Sequence, residues 1–269
     1  MGNNNYLYLA IRAAIDAGKA IMDIYMDPAA DFGIEQKADH SPLTRADKAA
    51  HAVITALLSV TPFPILSEEG ADIPYKERKK WRTFWLVDPL DGTKEFIKRN
   101  GEFTVNIALI EDGVPTAGVI YVPVRKELYF GSLDKGAFKA SDIDYNHQPT
   151  FEVLHATAKR LPANQLHQGV VVVASRSHMT EETRLYVDNL RKQGMPVTMI
   201  SSGSSLKICL VAEGSADIYP RFAPTMEWDT AAAHAVIKEA NGTMTDFKTG
   251  ETLLYNKEDL HNPWFLAKA

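Results

Sequence analysis

Apolar residues recur at helical spacing near the start of the chain. Leu7, Ile11, Ala14, Ile21 and Ile24 predict an amphipathic helix over 6–26. After the Ser41-Pro42 turn a second helix is predicted over 45–58, with Ala49, Val53, Ala56 and Leu57 toward a core. Asp47 falls in its first turn, where the helix dipole favours an acid. The pattern then changes to strands. One at 64–66 ends at Ser67-Glu68-Glu69-Gly70, and one at 83–87 ends at Asp88-Pro89-Leu90-Asp91-Gly92. Segments 103–110 and 114–122 flank Glu111-Asp112-Gly113, a hairpin signature, and 128–131 and 137–139 extend the meander. The stretch 142–168 is polar and weakly patterned, so a lobe boundary is expected there. Beyond it, strands at 169–174, 196–200, 216–219 and 243–245 alternate with helices at 180–194, 204–214 and 229–242. The expectation is one unit of layered α+β and α/β structure. Its N-terminal lobe, 1–150, places helices on a mostly antiparallel sheet, and its C-terminal lobe, 151–269, alternates α and β.

Composition narrows the function. With 269 residues, 45% hydrophobic and 23% charged, the chain is a folded protein and not a disordered one. A net charge of -5 and a pI near 5.9 argue against wrapping polymeric nucleic acid. They allow a small phosphorylated ligand, because a bound cation reverses the local charge of an acidic pocket. Cys209 is the one cysteine, so an intrachain disulfide and a cysteine-rich zinc site are both excluded, which fits a reducing cytoplasm. It falls among Leu206, Ile208, Leu210 and Val211 and reads as core. The segment 1–8 has no basic region followed by an apolar run, so no secretory leader is expected. The eight histidines contain no His-x-x-x-His pair, which disfavours a zinc hydrolase, and His234 reads as structural.

The remaining chemistry is acidic. Glu68 and Glu69 follow a strand, Asp88 and Asp91 flank a proline, Asp229 opens a helix and Asp47 sits near another helix start. Hard divalent cations take oxygen ligands of this kind. Pro89 cannot donate to a ladder, so pairing is expected to stop there. That would leave Asp88 at a strand end and Asp91 one turn on, with both carboxylates and the Leu90 carbonyl facing one point. Gly92 allows a close backbone approach. Thr93 opens a short helical turn, 93–96, whose free N–H groups suit a phosphate. Taken singly, each feature has a plainer reading. Asp-x-x-Asp-Gly is usually a turn, Glu68-Glu69 a solvated loop, Asp47 a surface acid and Asp229 an N-cap.

As an ordered set these residues resemble the lithium-sensitive, metal-dependent phosphatases that include inositol monophosphatases and fructose-1,6-bisphosphatases. That family's pattern is Asp, then Glu-Glu, then Asp-Pro-Ile/Leu-Asp-Gly-Thr/Ser, then Trp-Asp. Here it is Asp47, Glu68-Glu69, Asp88-Pro89-Leu90-Asp91-Gly92-Thr93 and Trp228-Asp229. Lys94-Glu95-Phe96, Ser201-Ser202-Gly203-Ser204-Ser205-Leu206-Lys207 and Tyr219-Pro220-Arg221-Phe222 narrow the resemblance to 3′(2′),5′-bisphosphate nucleotidases of bacterial type. One departure is Ala233, where the family commonly has Gly.

The resemblance implies a layered α-β-α-β-α sandwich and removal of the 3′-phosphate of adenosine 3′,5′-bisphosphate, linked to sulfur assimilation. The phosphosulfate nucleotide is a further implied substrate. It implies two or three Mg²⁺ ions per site. Glu68, Asp88 and the Leu90 carbonyl would bind one ion, and Asp88, Asp91 and Asp229 another. Thr93 would position the attacking water, with Asp47 accepting from its hydroxyl, and Glu69 would orient a further water. The Gly92 and Thr93 amides would hold phosphate oxygens. Lys207 and Arg221 are candidates for the second phosphate, and Ser204 for a ligand contact or a cap. The implied partner is a small bisphosphate nucleotide, with no nucleic-acid polymer and no obligate protein. A cytoplasmic monomer or homodimer is expected, with peripheral association with the inner membrane left open. The alternatives are an inositol or sugar monophosphatase of the same fold and a non-catalytic metal and nucleotide sensor.

Overall fold

The computed structural model describes residues 3–37, 41–70, 73–133, 135–146, 148–163, 168–175 and 179–269. Met1 and Gly2, and residues 147 and 164–167 of the polar stretch, lie outside the described residues. The chain begins with helix α1 (Asn3–Tyr25), a short ladder of β1 (Glu35–Gln36) and β2 (Pro42–Leu43), and α2 (Arg45–Leu58). Next come β3 (Ile65–Ser67), α3 (Tyr75–Arg78), β4 (Thr83–Asp91), α4 (Thr93–Ile97), β5 (Thr104–Glu111) and β6 (Val114–Val122). They are followed by β7 (Glu127–Ser132), β8 (Gly136–Ala140), α5 (Phe151–Thr157) and β9 (Lys159–Arg160). The rest is β10 (Val170–Ser175), α6 (Glu181–Lys192), β11 (Val197–Ser202), α7 (Leu206–Ala212), β12 (Ile218–Arg221), α8 (Glu227–Glu239), β13 (Thr243–Asp246) and β14 (Phe265–Lys268).

Two sheets carry the fold. Strands β3 to β9 form the first in chain order, antiparallel except for the parallel pair β3–β4. The second has the order β11-β10-β12-β14-β13, parallel around β10 and antiparallel around β14. Side-chain alternation explains the layering. Trp85, Val87, Val105 and Ile107 face α1 and α2 in one core. Phe84, Leu86, Ala108 and Ile110 face α7 and α8 in the other, which Val171, Val173, Tyr219 and Phe265 of the second sheet close from the far side. Helix α6 packs on the second sheet. The molecule is therefore the expected α-β-α-β-α sandwich. β4 reads as an unbroken apolar run because both of its faces are covered.

Helix α8 fits between two sheets because it is narrow: Ala231, Ala232, Ala233 and Ala235 are all buried. Gly118 of β6 meets it directly. A Cβ there would stand 2.1 Å from the Ala232 carbonyl oxygen. Ala233, the departure from the family pattern, is 1% exposed and packs in this core.

Two expectations are corrected. Pairing does not stop at Pro89, since β4 continues to Asp91 through an irregularity. Asp88 faces Asn106 and Asp91 faces Thr104, so β4 carries one residue more than β5 there. An extra, unpaired residue is a place a proline tolerates. On its other side β3 has already ended, with Ser67 opposite Val87. Nor does Asp229 open its helix: α8 begins at Glu227, and the Asp229 carboxylate reaches back to accept from the Met226 N–H at 2.9 Å. Strand β9, from the polar stretch, pairs with β8 in the first sheet. No helix among the described residues is long and apolar enough to cross a membrane.

Candidate active site

The carboxylates gather where the end of β4 meets the start of α8. Asp88 is 1% exposed, and one of its oxygens accepts from the Leu90 N–H at 3.1 Å. Burial pushes its carboxyl well above the usual range, and the charges of Glu68, Asp91 and Asp229 add to that. Asp229 is raised by burial and then by the charge of Asp91. Glu68 is also raised by burial, partly offset by Lys37, and hydrogen-bonds Asp88. Glu68, Asp88 and Asp229 are thus each held toward their protonated forms in one buried space, which the Asp91 carboxylate shares.

Lys37 is the cation that faces this group on the β3 side. Its Nζ lies 2.7 Å from Glu68 and 2.5 Å from Glu69. Burial works against its charge, but the two glutamates outweigh burial and hold it protonated. Asp91 is held differently. Its Oδ2 accepts from the Ser205 N–H at 2.7 Å, lies 2.8 Å from Ser205 Oγ and accepts from Asn106 Nδ2 at 3.3 Å.

Asp47 is 1% exposed and is not the surface acid of the plainer reading. It is the third residue of α2, and its Oδ2 accepts from the Thr44 N–H at 2.7 Å in a capping box. Its other oxygen faces Thr93, whose Oγ1 donates at 3.1 Å and has the Leu90 carbonyl as a second acceptor at 3.3 Å. Burial raises the Asp47 carboxyl, against the lowering effect of the Thr44 and Thr93 hydrogen bonds. Gly92 joins β4 to α4 at φ 95°, in the left-handed region that glycine adopts without strain.

A cavity of about 160 Å³ opens beside Asp91, Gly92 and Asp229 and is lined across from them by Lys207, Tyr219 and Arg221. Lys207 is not the exposed helix residue of the plainer reading. It is 6% exposed, and burial, partly countered by Asp91, brings its ammonium down to about 8. Arg221 donates from Nη2 to the Pro224 carbonyl at 2.9 Å. Its Nε is buried with no hydrogen-bond partner among the described residues. Ser204 lines the same cavity at φ 38°, and its hydroxyl donates to the Glu102 carbonyl at 3.0 Å. The Glu102 carboxylate accepts from the Gly203 N–H at 2.9 Å and so holds this loop against the site.

Among the described residues, no three His, Cys, Asp or Glu side chains already converge as a closed metal cage. The donor chemistry nevertheless fits a hard divalent cation. Asp88 is almost fully buried among three other carboxylates. Buried like charges stay ionised only with a compensating cation. Sequence reasoning passed over Lys37, Thr104, Asn106, Ser205 and Glu102 as site residues. The signal for Thr104 and Asn106 was two polar residues inside an otherwise apolar strand. Lys37 carried none.

Residues 3–268 match the model of the inositol monophosphatase family. The 3′(2′),5′-bisphosphate nucleotidase CysQ of Salmonella typhimurium is 45% identical over 255 residues, which cover 94% of this chain and 95% of that protein. The crystal structure of CysQ from Bacteroides thetaiotaomicron, a bacterial member of the inositol monophosphatase family, superimposes with a TM-score of 0.92 at 54% identity, covering 99% of this chain and 98% of that one. The extragenic suppressor protein suhB of Bartonella henselae superimposes with a TM-score of 0.70 at 26% identity, covering 97% and 92%. With its fold, its ordered acidic motifs and these relatives in agreement, the chain belongs to the inositol monophosphatase family, a family of metal-dependent phosphatases.

Proposed function

We propose that this protein is a 3′(2′),5′-bisphosphate nucleotidase. It removes the 3′-phosphate of adenosine 3′,5′-bisphosphate, giving AMP and phosphate, and takes the 5′-phosphosulfate analogue in the same cavity. Its place is the cytoplasmic turnover of the nucleotides of sulfur assimilation. The observation that carries this reading is the cavity's two-sided charge. Acids lie on one side, and the buried Lys207 and half-buried Arg221 lie on the other, with the buried Arg221 Nε lacking a hydrogen-bond partner among the described residues. A ligand with one phosphate would leave that guanidinium N–H unsatisfied, whereas a bisphosphate engages both sides. Residues from 1–150 and 151–269 line this one cavity, which supports reading the two halves as one phosphatase unit.

Glu68, Asp88, Asp91, Asp229 and the Leu90 carbonyl would hold two or three Mg²⁺ ions. Bound magnesium supplies positive charge for the phosphate and leaving oxygens and makes water more acidic. The chain's own residues do the positioning. With its hydrogen donated to the Asp47 carboxylate, the Thr93 hydroxyl oxygen is left as an acceptor that aims a water at phosphorus. Asp47, raised by burial, is suited to take the proton passed through that hydroxyl. The Gly92 and Thr93 N–H groups hold phosphate oxygens. Glu69 orients a further water, Lys207 and Arg221 bind the second phosphate, and Ser204 shapes the wall beside it.

The test is phosphate release from adenosine 3′,5′-bisphosphate with Mg²⁺, beside inositol 1-phosphate, fructose 1,6-bisphosphate and AMP. Asp88→Asn serves as the control for contaminating phosphatase. Mg²⁺-dependent release from the bisphosphate nucleotide, lost by about 10³-fold or more in the variant, is the expected result. Preference for inositol 1-phosphate would overturn the substrate assignment and leave the fold intact. Binding without release from any substrate would favour a sensor.

A further inference from the structure

Asp91 differs from the other acids in how fully one of its oxygens is occupied. Its Oδ2 faces the Ser205 N–H at 2.7 Å, Ser205 Oγ at 2.8 Å and Asn106 Nδ2 at 3.3 Å. Two N–H donors and the Ser205 hydroxyl, whose one proton is shared between this oxygen and the Asp229 carbonyl, surround Oδ2 and restrict the side chain's rotation. Oδ1 is left for the cavity that Asp91 lines. The amide of Asn106 is itself oriented. Thr104 Oγ1 donates to its Oδ1 at 3.0 Å, which turns the NH₂ group toward Asp91 and toward Ser205 Oγ, 2.9 Å away. Ser205 Oγ also lies 2.6 Å from the backbone carbonyl of Asp229. One hydroxyl therefore touches the carboxylate from β4 and the helix that carries the carboxylate from α8.

The register explains why these residues are in place. Asp88 and Asp91 face Asn106 and Thr104 across the irregularity in β4. Thr104 and Asn106 share one face of β5, the face whose later members Ala108 and Ile110 pack between the sheets. They are 0% and 1% exposed. Polar side chains so deeply buried in an apolar strand are retained where their hydrogen bonds do something an apolar residue cannot.

We propose that Asn106, oriented by Thr104 and joined to Ser205, is a positioning residue that fixes Asp91 Oδ2 and presents Oδ1 to a divalent cation in register with Asp229. This inference rests on the reading of Asp91 as a metal ligand. Residues that orient a ligand from behind typically change metal affinity by about 10- to 100-fold when removed.

The test uses the full chain stripped of metal with a chelator and titrated with Mg²⁺ by calorimetry, alongside the metal-free melting temperature. Asn106→Val and Ser205→Ala are expected to weaken Mg²⁺ binding by about 10-fold or more. The Mg²⁺ needed for half-maximal turnover should rise in parallel, while kcat at saturating Mg²⁺ falls far less. Thr104→Val should weaken Mg²⁺ binding in the same sense, and Thr104→Ser, which keeps the hydroxyl, should stay near the parent. That pair keeps the test decisive if Asn106→Val does not fold. A lowered melting temperature with Mg²⁺ affinity within about twofold of the parent in every variant would overturn the proposal and leave these residues a packing role. Asp91→Asn separates the two levels. If it loses Mg²⁺ affinity while the Asn106 and Thr104 variants do not, only the positioning role fails. If Asp91→Asn itself binds Mg²⁺ like the parent, the metal-ligand reading fails first.

Discussion

Burial acts on His234 and Asp88 in opposite chemical directions but with one logic: each is held toward its neutral form. His234 is 3% exposed, and its Nδ1 lies 2.9 Å from the Tyr255 hydroxyl. Burial, with the nearby Lys238 charge, brings its imidazole down to about 4. The unfolded chain therefore takes up a proton near pH 6.5 that the folded chain refuses until about pH 4. The sign follows: stability is unaffected by this group above pH 6.5 and declines as pH falls through that window. At about 1.4 kcal/mol per pH unit, the cost reaches roughly 2 kcal/mol by pH 5. Urea unfolding at pH 7.5 and pH 5 should show this as an excess loss in the parent over His234→Asn. Equal losses in the two proteins would remove His234 as its source. His234 lies in the helix that follows Asp229, where a structural role is expected, and its ring is buried against the Tyr255 hydroxyl.

At the scale of elements, α8 governs the site because it carries Asp229 and has a sheet on each side. Its alanines allow the close approach, and Gly118 is where the first sheet comes nearest. Gly118→Ala would place a methyl 2.1 Å from a backbone oxygen that has no side-chain rotamer through which to yield. The helix must shift instead. The expected cost is about 2–3 kcal/mol, seen in urea unfolding, together with a several-fold loss of Mg²⁺-dependent turnover as Asp229 moves with its helix. Unchanged stability would mean that the two layers slide more freely than their packing implies. The other end of the same helix turn is tied down by Glu227. Fully buried, it accepts from the Asn256 N–H at 2.6 Å and the Lys257 N–H at 3.0 Å.

At the scale of the whole molecule, the metal-free protein keeps several mutually repelling carboxylates in one buried place, and a cation should relieve that repulsion. A ligand that binds only the folded chain stabilises it in proportion to the logarithm of its concentration. Raising Mg²⁺ to about 100 times its dissociation constant should add roughly 2.7 kcal/mol, visible as a melting temperature that climbs with Mg²⁺ and falls again with chelator. A melting temperature indifferent to Mg²⁺ would count against a metal site built on these acids. Much of this architecture was legible in the sequence. Helix α2 spans the residues predicted for it, although its core face is Ala46, Ala50, Ile54 and Leu58 and not the expected Ala49, Val53, Ala56 and Leu57, of which Ala56 is exposed, and the Asp112-Gly113 hairpin lies where its turn signal stands. The acids were legible only as an ordered set, because each alone has the chemistry of a turn or a cap. What stayed hidden depends on register. The pairing of Asp91 with Thr104 needs the extra residue in β4, and Asn106 reaches Ser205 across 99 positions of chain. No local pattern encodes either. Pro89 misled for the same reason: a rule about regular ladders says nothing of where a ladder is irregular.

The order of strands in the second sheet differs from their order along the chain, and this has a consequence in time. Strand β14 lies between β12 and β13, although both precede it in the sequence. As the chain is synthesised, β4 and β5 can pair early, since they are neighbours in sequence and in space. Strand β12, which ends in Arg221 opposite Phe265, has one side open until β14 arrives to fill it. The acidic wall of the cavity is complete once Asp229 is made, whereas its cationic wall is braced only when β14 follows. A nascent chain that has made every carboxylate of the site is still not a chain that can hold a bisphosphate.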